Sequence, residues 1–158
     1  MFVLLKELRR IRREQRLPAP AKGGSLAVRH VDAGSCNGCE HELNQAATPF
    51  YDLSRFGIGV VASPRHADVL LITGVVTRRM LEPLRAAYAA MPEPRLVVAL
   101  GDCARGCNVL GDPDVLVGGA ETVIPVDVTI PGCPPNPQAI ADGLLEALAV
   151  ARRRAKGE

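Results

Sequence analysis

Cys36 and Cys39 stand two residues apart in the run Ser35-Cys36-Asn37-Gly38-Cys39, and Cys103, Cys107 and Cys133 follow far downstream. A C-x-x-C pair lets two thiolates reach one centre from a single turn, and distant loops can supply the remaining positions. Four thiolates suit either tetrahedral zinc or an iron–sulfur cluster. Zinc sites are usually closed by a second local pair, whereas a whole βα unit is read between Cys103 and Cys133, a spacing that favours a cubane wrapped by a large fold. Gly38, Gly101 and Gly132 sit beside these thiols, where absent side chains let backbone N–H groups approach sulfur. Pro134 follows Cys133 directly, as proline follows a cluster cysteine in bacterial ferredoxins. The preferred ligands are Cys36, Cys39, Cys103 and Cys133, with Cys107 read as an idle thiol that could serve as a fourth or alternative ligand. Structural zinc and scattered core thiols are the competing readings.

Thiols this far apart in the chain need a fold that gathers them. Leu26 to Val31 reads as a strand whose exit loop, Asp32 to Ser35, delivers Cys36, and a helix follows from Cys39 to about Ala47. Ile58 to Ala62, Val69 to Thr73 and Arg95 to Leu100 are short apolar runs bounded by Gly, Ser or Pro, the pattern of buried strands. Thr77 is expected to cap a helix reaching about Ala90, kinked at Pro83. Val123 to Ile130, interrupted by Pro125, reads as an edge or bent strand leading to Cys133. Asn136 caps a last helix, with Pro137 at its first position, running to about Arg154. Strands alternating with helices predict a doubly wound α/β domain with a mostly parallel sheet and helices on both faces. Ligands of such sheets bind outside the carboxyl ends of the strands, and every cysteine loop leaves from that edge.

The chain has 158 residues, about one domain, with 47% hydrophobic but only 3% aromatic residues, so aliphatic side chains must fill the core. Its net charge of +2 conceals basic ends: residues 1–16 carry +4 and residues 152–158 carry +3, around a body of −5. Basic ends on an acidic body read as docking tails, and without a basic face or stacking aromatics nucleic-acid binding is not expected. Leu4, Leu5, Leu8 and Ile11 form an apolar stripe on a basic N-terminal helix suited to an anionic membrane surface or a partner, against the plainer reading of a frayed terminus. A linker with Pro18, Pro20, Gly23 and Gly24 divides this segment, residues 1–25, from a domain at 26–158. No run is long enough to span a bilayer, and the start does not read as a secretory signal, so a cytoplasmic protein is expected.

Other signals are weaker. Gly57-Ile58-Gly59 with Ala62 loosely fits a dinucleotide fingerprint, but these glycines precede an apolar run instead of opening a helix, so no bound nucleotide is expected. Arg65 and His66 lie between two strands, as a solvated turn, or as a charged pair that faces a partner or sits behind the metal ligands, and Glu40, His41 and Glu42 read as capping or surface charges, with proton relay as the alternative.

Ser35-Cys36-Asn37-Gly38-Cys39-Glu40, Tyr51-Asp52, Arg55-Phe56-Gly57, the run Val60 to Asp68, and Ile124-Pro125-Val126-Asp127 with Ile130-Pro131-Gly132-Cys133-Pro134-Pro135 resemble the small-subunit family shared by nickel-iron hydrogenases and respiratory complex I, whose member there is the 20 kDa subunit. The resemblance spans residues 28–148 and is greatest to membrane-bound hydrogenases of the formate-hydrogenlyase type. It implies a flavodoxin-like domain holding one 4Fe-4S cluster on Cys36, Cys39, Cys103 and Cys133, at an interface with a large catalytic subunit. It also implies a ferredoxin-like iron–sulfur subunit and membrane subunits as partners, with the chain peripheral on the cytoplasmic side. Complex I subunits usually carry adjacent cysteines at the first motif, so the spacing of Cys36 and Cys39 points to hydrogenases. Where the family tends to have a Gly pair after the third ligand, this chain has Cys107-Asn108. The expectation is a non-autonomous electron-transfer subunit of an oxidoreductase. The alternatives are the 20 kDa subunit of complex I (NADH-quinone oxidoreductase), reducing quinone at its interface with a partner, and a zinc-stabilised scaffold without redox chemistry.

Overall fold

The computed structural model describes residues 24–107, 112 and 114–156. The expected N-terminal helix and most of its linker lie outside these residues. Leu26–Asp32 forms β1, Gly38–Ala46 α1, Ile58–Val60 β2, Val69–Thr73 β3, Val76–Thr77 β4, Leu81–Ala90 α2, Leu96–Leu100 β5, Leu116–Gly118 β6, Val128–Ile130 β7 and Pro137–Lys156 α3. Five strands pair in the order β2-β1-β3-β5-β7, every neighbour parallel. Counted within that sheet, this is the 2-1-3-4-5 order of flavodoxin-like domains.

The central strands β3 and β5 are buried at every position, as continuous apolar runs in a sheet covered on both faces should be. Side chains alternate between two cores. Val69, Leu71, Val98 and Leu100 face α1 and α3 through Leu43, Ile140 and Leu144, while Leu70, Ile72, Val97 and Ala99 face Leu84 of α2 and Ile124. Gly143 lets α3 lie close on the sheet, since a Cβ there would come 2.4 Å from Ile130 Cγ1. Asn136 Oδ1 accepts from the Ala139 amide at 2.8 Å, the cap expected before Pro137. At the opposite edge from the cysteine loops, Asp127 accepts from the Val97 amide at 2.7 Å and from Arg154, which fastens α3 across the strand starts.

Some boundaries differ from expectation. Thr77 does not cap a helix: it lies in β4, which pairs antiparallel with β6, and its hydroxyl donates to the Ala33 carbonyl at 3.2 Å. α2 starts at Leu81, so Pro83 falls in its first turn, where the missing N–H costs nothing and no kink is required. Only Val128–Ile130 of the expected run from Val123 is strand, and Pro125 sits in the irregular segment before it. The β4–β6 ribbon has no sequence signal, because two or three residues carry no readable period. No helix among the described residues is long and apolar enough to cross a membrane.

Candidate functional site

Three loops leave the carboxyl ends of β1, β5 and β7, and local hydrogen bonds shape each of them. Asp32 Oδ1, at the end of β1, accepts from the amides of Gly34 at 2.9 Å and Ser35 at 2.8 Å, which turns the chain toward Cys36. Ser35 Oγ then accepts from the Asn37 amide at 3.1 Å. Asn37 adopts a left-handed conformation with φ 66°, which asparagine tolerates better than most residues, and this swings the chain from Cys36 into the first turn of α1, where Cys39 sits.

The second and third loops are tied to each other. The Gly101 amide donates to the Ile130 carbonyl and the Asp102 amide to the Gly132 carbonyl, both at 2.8 Å. The Gly132 amide returns a bond to Asp102 Oδ1 at 3.0 Å, and Arg105 donates to the same oxygen at 3.0 Å. Asp102 thus holds the Cys103 loop against the Cys133 loop. The Gly132 N–H and then Arg105 keep its carboxyl below the ordinary value, against a smaller opposing effect of burial. A carboxyl lowered on folding adds stability above its unfolded value, and that contribution disappears as pH falls through the folded one. Melting temperature measured from pH 5 downward is therefore expected to drop more steeply for the wild type than for Asp102→Asn, and parallel curves would count against the tie.

Together the loops enclose a cleft of about 100 Å³ lined by Cys36, Cys39, Cys103 and Cys133, with Asp102 and Pro134 beside them. Cys39 and Cys103 are partly covered, while Cys36 and Cys133 lie toward solvent. Burial pushes the Cys39 thiol up to about 12, reinforced by Glu40 and by Cys103, Cys36 and Cys133. Cys103 is raised in the same way, by burial and then by Cys133 and Cys36. Gly101, at φ +88°, is where the backbone passes closest to this group: a Cβ there would lie 2.5 Å from Cys39 Sγ. Among the described residues, no three His, Cys, Asp or Glu side chains gather around one point as ligands of a single metal ion do.

The structure thus brings together the four thiols singled out by spacing. Cys107 is exposed and does not line the cleft, although its amide donates to the Asp102 carbonyl at 3.0 Å and it lies near enough to influence Cys103. Arg65 and His66 occupy an exposed 3-10 turn, Pro64–His66, leading into the start of β3, at the other end of the strands from the cleft. The solvated-turn reading describes them, and contact with the cysteine cleft does not.

Glu40 departs from the expected surface charge. It lies in the first turn of α1, but its carboxylate turns inward, where Oε1 accepts from the hydroxyl of Thr73 and Oε2 is buried without a hydrogen-bond partner. His30 Nε2 is 2.8 Å from Thr73 Oγ1 and 3.6 Å from Glu40 Oε1. Among the described residues, Thr73, 0% exposed, is the buried polar side chain of an otherwise apolar core. Sequence reasoning misses both His30 and Thr73, and the available signal is faint: single polar residues near the carboxyl ends of apolar strands.

Residues 36–147 match the family described as NADH ubiquinone oxidoreductase, 20 kDa subunit. The chain is 45% identical over 151 residues to a probable membrane-bound hydrogenase subunit, mbhJ, of Pyrococcus furiosus, covering 94% of this chain and 90% of that protein. It is 44% identical over 130 residues to formate hydrogenlyase subunit 7 of Escherichia coli, covering 82% of this chain but only about half, 51%, of that protein. Among solved structures, a chain of the membrane-bound sulfane sulfur reductase, an archaeal respiratory membrane complex, superposes with a TM-score of 0.69 at 36% identity, over 80% of this chain and 70% of that one.

Proposed function

The chain belongs to the family of the NADH ubiquinone oxidoreductase 20 kDa subunit, and from that premise we propose that it is the electron-transfer subunit of a membrane-associated, hydrogenase-type oxidoreductase, binding one 4Fe-4S cluster on Cys36, Cys39, Cys103 and Cys133. The observation that carries this reading is the convergence of four thiols, supplied by the exits of three non-consecutive strands, on one cleft. When bound, the cluster supplies reversible one-electron storage. Everything else is the work of the chain.

The residues fit such a group on three counts. All four donors are soft sulfurs, which favour iron–sulfur cores over hard cations. Cys39 and Cys103 are thiols that burial and one another keep protonated, so a cationic core is needed before all four can serve as thiolates. All four sulfurs also line one cleft, so a single group can reach every one of them.

Cys36 and Cys133, toward solvent, mark the side through which electrons pass to or from a large catalytic subunit. Apolar surface continues beside them: the Cys36 and Cys103 side of the cleft adjoins Val115, which is 46% exposed, as expected of a face that a partner covers. The membrane-bound hydrogenase and sulfane sulfur reductase relatives support membrane partners and a peripheral place for this chain; the sequence resemblance adds a ferredoxin-like iron–sulfur subunit and the cytoplasmic side, with the basic N-terminal segment toward the membrane arm. The chain is then enzymatic only within the complex. The two-residue spacing of Cys36 and Cys39 favours the hydrogenase type over complex I.

Anaerobic purification of the chain itself should yield a brown protein with broad visible absorption and about four irons per chain. A colourless protein with one bound zinc would overturn the proposal in favour of a scaffold.

A further inference from the structure

We propose that Thr73, backed by His30, is a positioning residue that holds the Glu40 carboxylate inward behind Cys39, and that this fixed charge lowers the reduction potential of the cluster. The inference rests on the cluster reading above and extends it to residues that are not ligands.

The hydrogen bonds have a direction. The Thr73 hydroxyl has one proton, and it donates that proton to Glu40 Oε1. His30 Nε2, 2.8 Å from the same hydroxyl oxygen, must then be the donor to it, which sets the imidazole tautomer. The order is therefore His30 to Thr73 to Glu40. Thr73 ends β3, the middle strand of the five, and is 0% exposed, so the hydroxyl has no freedom to follow a moving carboxylate.

The second carboxylate oxygen supplies independent evidence. Glu40 Oε2 is buried and has no hydrogen-bond partner, an arrangement that costs folding free energy and that a glutamate in the first turn of a helix would escape by rotating into water. Thr73 prevents that rotation. The retained charge belongs to the residue that follows Cys39 in the first turn of α1, and Thr73, which holds it, adjoins Gly74 in the lining of the cysteine cleft. A negative charge close to the sulfur opposes the arrival of an electron, so holding it there makes the cluster harder to reduce. Glu40 could have stabilised α1 equally well from the solvent side. Its inward pose therefore points to action on the centre.

Redox titration of the intact complex, monitored by electron paramagnetic resonance, tests the idea. Thr73→Val keeps the β-branched shape and deletes the donor, and Glu40→Gln deletes the charge while keeping an acceptor. Both variants should keep their iron and shift the cluster's reduction equilibrium at least roughly tenfold toward the reduced form, about 59 mV for one electron. Thr73→Ser should restore the wild-type potential, and Thr73→Val should add no shift in the Glu40→Gln background. An unchanged potential in Glu40→Gln overturns the inference even if Thr73→Val does not assemble. A Thr73→Val shift that persists in full without the Glu40 charge does so as well. Absence of iron from the wild-type chain, separated anaerobically from its companions, would instead defeat the cluster reading itself, so the two failures are distinguishable.

Discussion

Cys133→Ser is expected to strip the protein of its iron, lowering the iron content of this subunit, separated anaerobically from its companions, by more than roughly tenfold, since even loss of a hydrogen bond that supports a ligand usually costs roughly tenfold or more in metal affinity. A serine hydroxyl is a harder donor than a thiolate and does not ionise at neutral pH, so one of the four positions around the cleft is lost. Cys36→Ser, Cys39→Ser and Cys103→Ser should behave alike, because every loop contributes and none can substitute for another. Metal binding that gathers remote loops is coupled to folding, so each variant should also melt at a lower temperature than the loaded wild type. Cys107→Ser provides the control: the thiol lies outside the cleft lining and should be dispensable. Wild-type iron in Cys133→Ser, or its loss in Cys107→Ser, would show that the ligand set is wrong.

Gly101→Ala should be nearly as damaging although it touches no ligand atom of its own. At φ +88° a side chain brings strain on the order of 1 to 3 kcal/mol. The larger effect is local, since the added Cβ would stand 2.5 Å from Cys39 Sγ, and the backbone behind it is held by the bond from the Gly101 amide to the Ile130 carbonyl at 2.8 Å. The sulfur has to move, and with it the geometry of the cleft. Iron content should fall severely while circular dichroism still reports an α/β fold. Gly59→Ala, on the edge strand β2, is the matched control: a Cβ there meets nothing within 4 Å, so iron should be retained. Equal iron in the two variants would remove Gly101 from the account of the site.

The parallel sheet is legible in sequence because its signal is collective. Val69–Thr73 and Leu96–Leu100 are apolar at nearly every position, and only burial on both faces explains that in runs so short. Once those strands are parallel, the exits of β1, β5 and β7 share an edge, and the convergence of the thiols follows from topology. Thr77 and Pro83 mislead because Thr and Pro are punctuation at more than one kind of boundary: Thr77 serves a β-bridge to β6, and Pro83 sits harmlessly in a first turn. The pairings of Asp102 with Gly132 and of Thr73 with Glu40 join residues 30 and 33 positions apart in the chain. No local pattern encodes such pairs, and they become visible only once strand order has set the neighbours.

Cys133 lies on the loop after β7, the outermost strand on its side of the sheet and the last of the five to be synthesised. A nascent chain displays Cys36 and Cys39 early, yet the pocket cannot close until β7 has been translated and has docked on β5. On the proposed cluster reading, the full set of four ligands is therefore offered only by a polypeptide whose sheet is already finished, and the earlier thiols stand open to oxidation until then.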